Sequence, residues 1–361
     1  MNRSFLGVVT LFAGLLAISN VSRAEKFMVE LEVDGQRVEG TPLAWTKSTV
    51  FLLARDGHLW NFHPSDAAKY RRTSDHFTSM SASDMRGGLK IEFGRHFDVS
   101  GTGHYLVVHP KGQRDIWAPR FEELYRNYMR YFTSRGFEPT RPMFPLIAVV
   151  FPNQQDFLKY AQRTDAKLLP GTLGFYSPIS NRILLYDVTS GDRHNPNWQI
   201  NSETIVHEAI HQMAFNTGVH SRYSMPPRWV AEGLGTMFEA RGVWNSKQFT
   251  QQSDRINRYR FGEFKQYSAR ERKAGTLAEL VSSDRIFQSN PEGAYAEAWA
   301  LTFFLFETKP KKYVEYLQTT ASKPQFTEYR SQERLAEFCE FFGDDLRQLE
   351  TRFLKYVAGL K

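Results

Sequence analysis

The sequence predicts an α+β fold: a small N-terminal β-rich module, then a mixed sheet with a buried helix, then an α-helical C-terminal lobe. Three observations predict it. Short apolar runs punctuated by Asp-Gly turns fill residues 26 to about 110. A strand-helix-strand-strand order precedes the helical stretch Glu203–Gln212. Beyond Glu239 the sequence reads as helical and polar. The expected segments are a leader at 1–24, a β-rich module at 25–100, a lobe carrying the candidate site at 101–245 and a helical lobe at 246–361.

Residues 1–24 have the form of a secretory signal peptide. Arg3 gives a positive start, Leu6–Ile18 an apolar run, and Ser22-Arg23-Ala24 a small-x-small cleavage site. The run is short for a membrane span. The chain is therefore expected to be exported, periplasmic or extracellular, with no stable span after cleavage; an uncleaved anchor is the open alternative. Removing the leader from 361 residues leaves 337 and lowers the formal charge from +7 to +5, enough for solubility. An arginine-rich stretch at 251–273 reads as a solvated face, and export argues against a nucleic-acid partner. The one cysteine, Cys339, excludes an internal disulfide. Its apolar helical context, Ala336–Phe342, makes it a core residue rather than a nucleophile.

In the module, Phe27–Val33 alternates and leads into Asp34-Gly35. Ser48–Ala54 and Leu59–Phe62 flank Asp56-Gly57, Leu89–Phe93 reads as another strand, and His104–His109, just beyond the module, as one more. His58, His63, His76, His96, His104 and His109 have no ligand spacing and are expected to be ordinary strand or surface histidines.

Further on, Phe121, Leu124, Tyr125, Tyr128 and Phe132 mark an amphipathic helix within 116–135. Pro145–Phe151 is a buried strand and Gln154–Gln162 a helix. Gly171–Ser177 and Arg182–Asp187 pair around Pro178–Asn181.

The next helix holds the chemistry. His207-Glu208-Ala209-Ile210-His211 is an H-E-x-x-H pattern. Residues four apart share a helix face, so both imidazoles can face one metal ion. Glu208 sits one step round the helix, where a general base is needed. Asn201 or Ser202 is the expected N-cap, Glu203 the first-turn acid, and Gly218 the left-handed C-terminal stop. Two histidines and a glutamate among Ile205, Val206, Ile210 and Met213 are costly unless partnered.

Downstream, Pro227 suits a helix start, and Glu232 lies 21 residues after His211 in Trp229-Val230-Ala231-Glu232-Gly233-Leu234-Gly235. Here the chain resembles the gluzincins, or peptidase-MA-like zinc metallopeptidases, and more narrowly a secreted bacterial family of unknown function within that clan. The resemblance is strongest from about Gly171 to Leu305. It implies one zinc ion held by His207, His211 and Glu232, with Glu208 as base. The fold it implies for the middle of the chain is a gluzincin-like domain, with Gly171–Ser177 as a substrate-holding edge strand. Tyr295, in Tyr295–Leu305, matches a helix whose tyrosine can donate to an oxyanion. Gly235 stands where alanine is commoner, a small-for-small exchange that puts nothing catalytic in doubt. Glu239, seven residues after Glu232, is a candidate to orient a histidine. Asn216 is a second cap candidate, and His220, Arg222 and Tyr223 lie in the loop between the ligand helices. Helices at 311–318, 333–342 and 344–356 complete the C-terminal lobe.

The expected activity is hydrolysis of peptide bonds in a peptide or protein substrate. Two alternatives stay open: an inactive peptidase-like scaffold of the cell envelope, and a zinc amidase acting on a non-protein amide. Neither substrate preference nor oligomeric state is legible.

Overall fold

The computed structural model describes residues 27–164, 168, 171–192 and 194–361, so the leader expected at 1–24 lies outside the described residues. The architecture is α+β, and the chain divides into two compact units. One comprises the residues up to Met85 with Ile179–Asn181; the other comprises Arg86–Pro178 and Arg182–Lys361.

The first unit is a four-stranded meander whose fifth strand returns to pair with the first. β1 (Met28–Val33), β2 (Gln36–Trp45), β3 (Val50–Ala54), β4 (Leu59–Phe62) and β5 (Ala67–Ser74) form a sheet ordered β4-β3-β2-β1-β5. Every neighbouring pair is antiparallel. The turn Asp34-Gly35 has positive φ at both residues, as a tight hairpin needs. Val29, Leu31, Val33, Val38, Val50 and Leu52 build its core.

One expected strand is a helix. Leu89–Phe93 belongs to α1 (Ala82–Phe93). Its start is a local cap: Ser81 Oγ accepts from the Asp84 N–H at 3.1 Å and donates to the Asp84 carboxylate at 2.7 Å. Met85 and Leu89, one helical turn apart, are buried, while Ile91 is 86% exposed. The alternation of Leu89-Lys90-Ile91-Glu92-Phe93 thus imitates a strand without two-faced burial.

The second unit is built on β6 (Phe97–Gly101), β7 (Tyr105–Pro110), β8 (Leu146–Phe151), β9 (Gly174–Ser177) and β10 (Arg182–Tyr186), ordered β6-β7-β8-β10-β9. The central strands β7, β8 and β10 run parallel, while β6 and β9 are antiparallel edges. Every residue of β8 is buried, as a parallel strand covered on both faces requires. α2 (Arg114–Thr133) buries Phe121, Leu124, Tyr125, Tyr128 and Phe132. α3 is Gln154–Arg163.

Helices dominate the rest: α4 (Trp198–Asn216), α5 (Arg228–Phe238), α6 (Arg241–Trp244), α7 (Arg258–Arg270), α8 (Thr276–Ser282), α9 (Ile286–Ser289), α10 (Pro291–Thr308), α11 (Pro310–Ala321), α12 (Ser331–Phe342) and α13 (Leu346–Ala358). Cys339 on α12 is half-buried rather than fully in the core. Burial pushes its thiol pKa up, which is the wrong direction for a nucleophile. No helix of the described residues is long and apolar enough to cross a membrane.

α5 and α10 meet closely, and Gly233 permits it. A Cβ there would stand 2.1 Å from Thr302 Oγ1 and 2.6 Å from the Ala298 carbonyl oxygen. The second neighbour is backbone and cannot rotate away. Gly233→Ala is therefore expected to destabilise by about 1–3 kcal/mol through overpacking, outweighing alanine's better helix propensity. A denaturant midpoint unchanged from wild type would refute this.

Candidate metal centre

α4 is apolar on most of its surface, with Ile205, Val206, Ala209, Ile210, Met213 and Ala214 buried. It begins earlier than the residue pattern suggests: Asn197 is its N-cap, and no acid stands in its first turn. Asn201, a capping residue by type, is instead buried one turn inside. Its Nδ2 donates to Asp187 Oδ1 at 2.7 Å, and its Oδ1 accepts from the Val188 N–H at 3.0 Å. The helix is thereby tied to the chain leaving β10. Glu203 accepts from Gln199 Nε2 at 2.8 Å. Gln212 Nε2 donates to the Ile147 carbonyl at 2.9 Å, which ties α4 to β8. At the far end Gly218 has φ +85°, the expected left-handed stop.

α5 brings Glu232 to the same place. His207 Nε2 and His211 Nε2 are 3.0 Å apart, and Glu232 Oε2 lies 3.4 Å from each. Among the described residues this is the group whose donor atoms could hold a metal. Tetrahedral zinc with bonds of about 2.0–2.1 Å sets neighbouring ligand atoms about 3.3 Å apart, which this triangle matches. Glu232 Oε2 is buried and makes no hydrogen bond of normal geometry. A cation would satisfy that orphaned acceptor. The residues therefore fit the ion. With side chains 12–15% exposed, the site is recessed yet reachable.

The surroundings orient the ligands. His207 Nδ1 contacts Glu239 Oε1 at 2.8 Å, so the candidate orienting acid is in that position. Glu239 Oε2 in turn accepts from Asn257 Nδ2 at 2.6 Å. Asn257 also caps α7, accepting from the Arg260 N–H at 3.1 Å. Sequence reasoning missed Asn257. Its only signal is an Asn one residue before a helical run. Burial opposes charge on His207, but Glu232 and Glu239 outweigh it and hold its pKa well above the usual imidazole value. Burial would likewise raise Glu232, but the two imidazoles hold its carboxyl well below the ordinary range.

Glu208 points its Oε2 at the backbone N–H of Tyr176 on β9, 2.7 Å away. The edge strand expected within Gly171–Ser177 is thus in hydrogen-bond contact with the candidate base. Tyr295, near the start of α10, is brought beside Glu232. Burial, then the Glu232 charge, pushes its phenol up to about 12. Arg228, which the sequence did not single out, donates from Nη2 to the Tyr295 hydroxyl at 3.4 Å. In the connecting loop, Arg222 donates twice to the Pro178 carbonyl, at 2.9 and 2.6 Å. His220 is buried, and burial and then His211 press its pKa down to about 3, so it is neutral. Asn216 donates to the Gln212 carbonyl at 2.8 Å and hydrogen-bonds the Tyr176 phenol. His104 and His109 pair locally with Glu122 and Ser100, away from this group.

Gly235 proves tighter than a small-for-small exchange suggests. A Cβ there would stand 2.9 Å from His207 Cε1 and 3.1 Å from Nδ1. Gly235→Ala must shift an imidazole that Glu239 holds. It is expected to weaken metal affinity about 10- to 100-fold, measured by chelator competition. An unchanged affinity would show that the ring has room to move.

A family model described as "Protein of unknown function (DUF1570)" matches residues 201–327. That stretch contains the three candidate ligands, Glu208, Glu239, Asn257 and Tyr295. No curated protein matches the chain.

Proposed function

We propose that this chain is a zinc-dependent hydrolase of peptide bonds that acts after export, in the periplasm or outside the cell. The observation that carries the reading is the triangle of His207 Nε2, His211 Nε2 and Glu232 Oε2, with a carboxylate on the next residue of the same helix. When bound, zinc supplies Lewis acidity toward a carbonyl oxygen and acidifies water.

The chain's own groups do the rest. Glu208 takes a proton from the attacking water and delivers it to the leaving amine. The Tyr176 N–H holds one of its oxygens and leaves the other for that proton. Glu239 fixes His207 through Nδ1, so that Nε2 presents its lone pair to the ion. The Tyr295 phenol, protonated throughout the neutral range, can donate to the oxyanion. β9 is the terminal strand of its sheet. An extended peptide paired along it would pass Glu208.

Metal analysis combined with digestion of a mixed peptide library tests the reading, with Glu208→Gln as control. One zinc per chain and cleavage above the control are expected. Stoichiometric zinc without cleavage would exclude peptide bonds and favour the amidase or scaffold alternatives. Absence of zinc would remove the site.

A further inference from the structure

Arg228 is the first residue of α5, four before Glu232 and on the same face. Its guanidinium lies 4.7 Å from the Phe287 ring centroid and 5.9 Å from that of Tyr295. Both distances fall within cation–π range. Its few polar contacts are long: Nη2 to Tyr295 Oη at 3.4 Å and Nε to Glu232 Oε1 at 3.5 Å. Nη1 has no hydrogen-bond or ion-pair partner among the described residues. The nearby acid Asp284 accepts through Oδ1 from the Arg228 backbone N–H at 3.0 Å and from Arg334 Nη1 at 2.9 Å, and its charge also acts on the Arg228 guanidinium. A second cation, Arg260, stands 5.1 Å from the Tyr295 ring centroid, and its Nε is buried without a partner. Glu263 pairs with Arg260 at Nη1, at 2.7 Å.

A helix ion pair with Glu232 is the plain explanation of Arg228. A contact at 3.5 Å in a pair of which one side chain is 38% exposed contributes little, however. It also leaves Nη1 of the guanidinium without a partner among the described residues and Nη2 with only the long contact to Tyr295. The side chain is 38% exposed and lies next to the candidate ligand and oxyanion donor.

We propose that Arg228 is a specificity-determining residue that binds a substrate carboxylate close to the scissile bond through its Nη1–Nη2 edge. A carboxylate matches a guanidinium edge in a two-point fork. The carboxylate is either the C-terminal one of a short peptide or an acidic side chain beside the cleaved bond. The inference rests on the zinc peptidase reading. It goes beyond it by naming the charge of the substrate.

Equilibrium binding decides the matter without turnover. Zinc-loaded Glu208→Gln protein is titrated by calorimetry with N-acetylated tripeptides bearing a free or an amidated C-terminus. A second series uses peptides capped at both ends with Asp or Asn placed at each position in turn. We expect one acid-over-amide preference of about 10- to 100-fold, absent when Arg228→Gln is added and partly restored by Arg228→Lys. Preference for the free C-terminus identifies the terminal carboxylate as the source; preference for Asp identifies the side chain. Equal binding of acids and amides to the parent protein, whatever the variants do, overturns the inference and leaves the peptidase reading intact. A preference that survives Arg228→Gln overturns it too, as does loss of zinc from Arg228→Gln with the preference retained. Failure of every peptide to bind overturns both.

Discussion

Glu208→Gln is expected to slow hydrolysis by about 100- to 10,000-fold while the protein keeps its zinc. The substitution is nearly isosteric, and the amide oxygen can still accept from the Tyr176 N–H, so the contact between α4 and β9 survives. The three candidate ligands are other residues, and none donates to or accepts from Glu208. What disappears is a carboxylate able to take a proton, placed one residue after His207 on the face that meets the edge strand. At 9% exposure, Glu208 has few waters to stand in for it. A rate within a few-fold of wild type would remove Glu208 from proton transfer. Loss of zinc would mean instead that it supports the ligand set. The measurement therefore pairs single-turnover rates with metal content on the same preparation.

The parts of this site visible in the sequence are those fixed by helical periodicity. His207 and His211 share a face because they are four residues apart, and the apolar residues around them say that the helix is buried. The parallel strand β8 and the α2 stripe are legible for the same reason, since burial on both faces or on one leaves a regular pattern. Parts that depend on tertiary meeting points are not. Asn257 and Arg228 look ordinary in sequence. They gain meaning only because α5, α7 and α10 converge, as the close approach at Gly233 records. β5 is nearly illegible because it is an exposed edge strand, Ala67–Ser74, without a buried alternation. α1 misleads in the opposite sense, since its alternating residues fall on a helix of which only Met85 and Leu89 are buried. The start of α4 is misread because Asn201 is a capping residue by type, yet its side chain ties two segments together inside the fold.

Stripping zinc is expected to lower the thermal midpoint, and by more at pH 8 than at pH 6. Consider first the metal-free protein. His207 has a pKa raised above its unfolded value, which is near 6.5. Its protonated form stabilises the fold fully below about pH 6.5, and that contribution is lost as pH rises through the folded value. Glu232 is shifted the other way, from an unfolded value near 4.5. Its contribution is present above about pH 4.5 and lost as pH falls through its lower folded value. The metal-free cluster is therefore most favourable between about pH 4.5 and 6.5, as a protonated imidazole beside two carboxylates. Zinc requires that same imidazole to be unprotonated. Below the raised His207 pKa its affinity should climb about tenfold per pH unit as the competing proton leaves. Binding at 100 to 1,000 times the dissociation constant adds about 2.7–4.1 kcal/mol. With rising pH the metal-free state loses its internal pairing while the zinc-bound state gains affinity, so the gap between them widens. Unfolding scans at several pH values between 5.5 and 8.5, with saturating zinc or excess chelator, measure that gap. His211→Ala should show none, because it breaks the triangle. A gap that stays constant or narrows with rising pH would mean that zinc does not displace a proton from His207, and the ligand assignment would then be wrong.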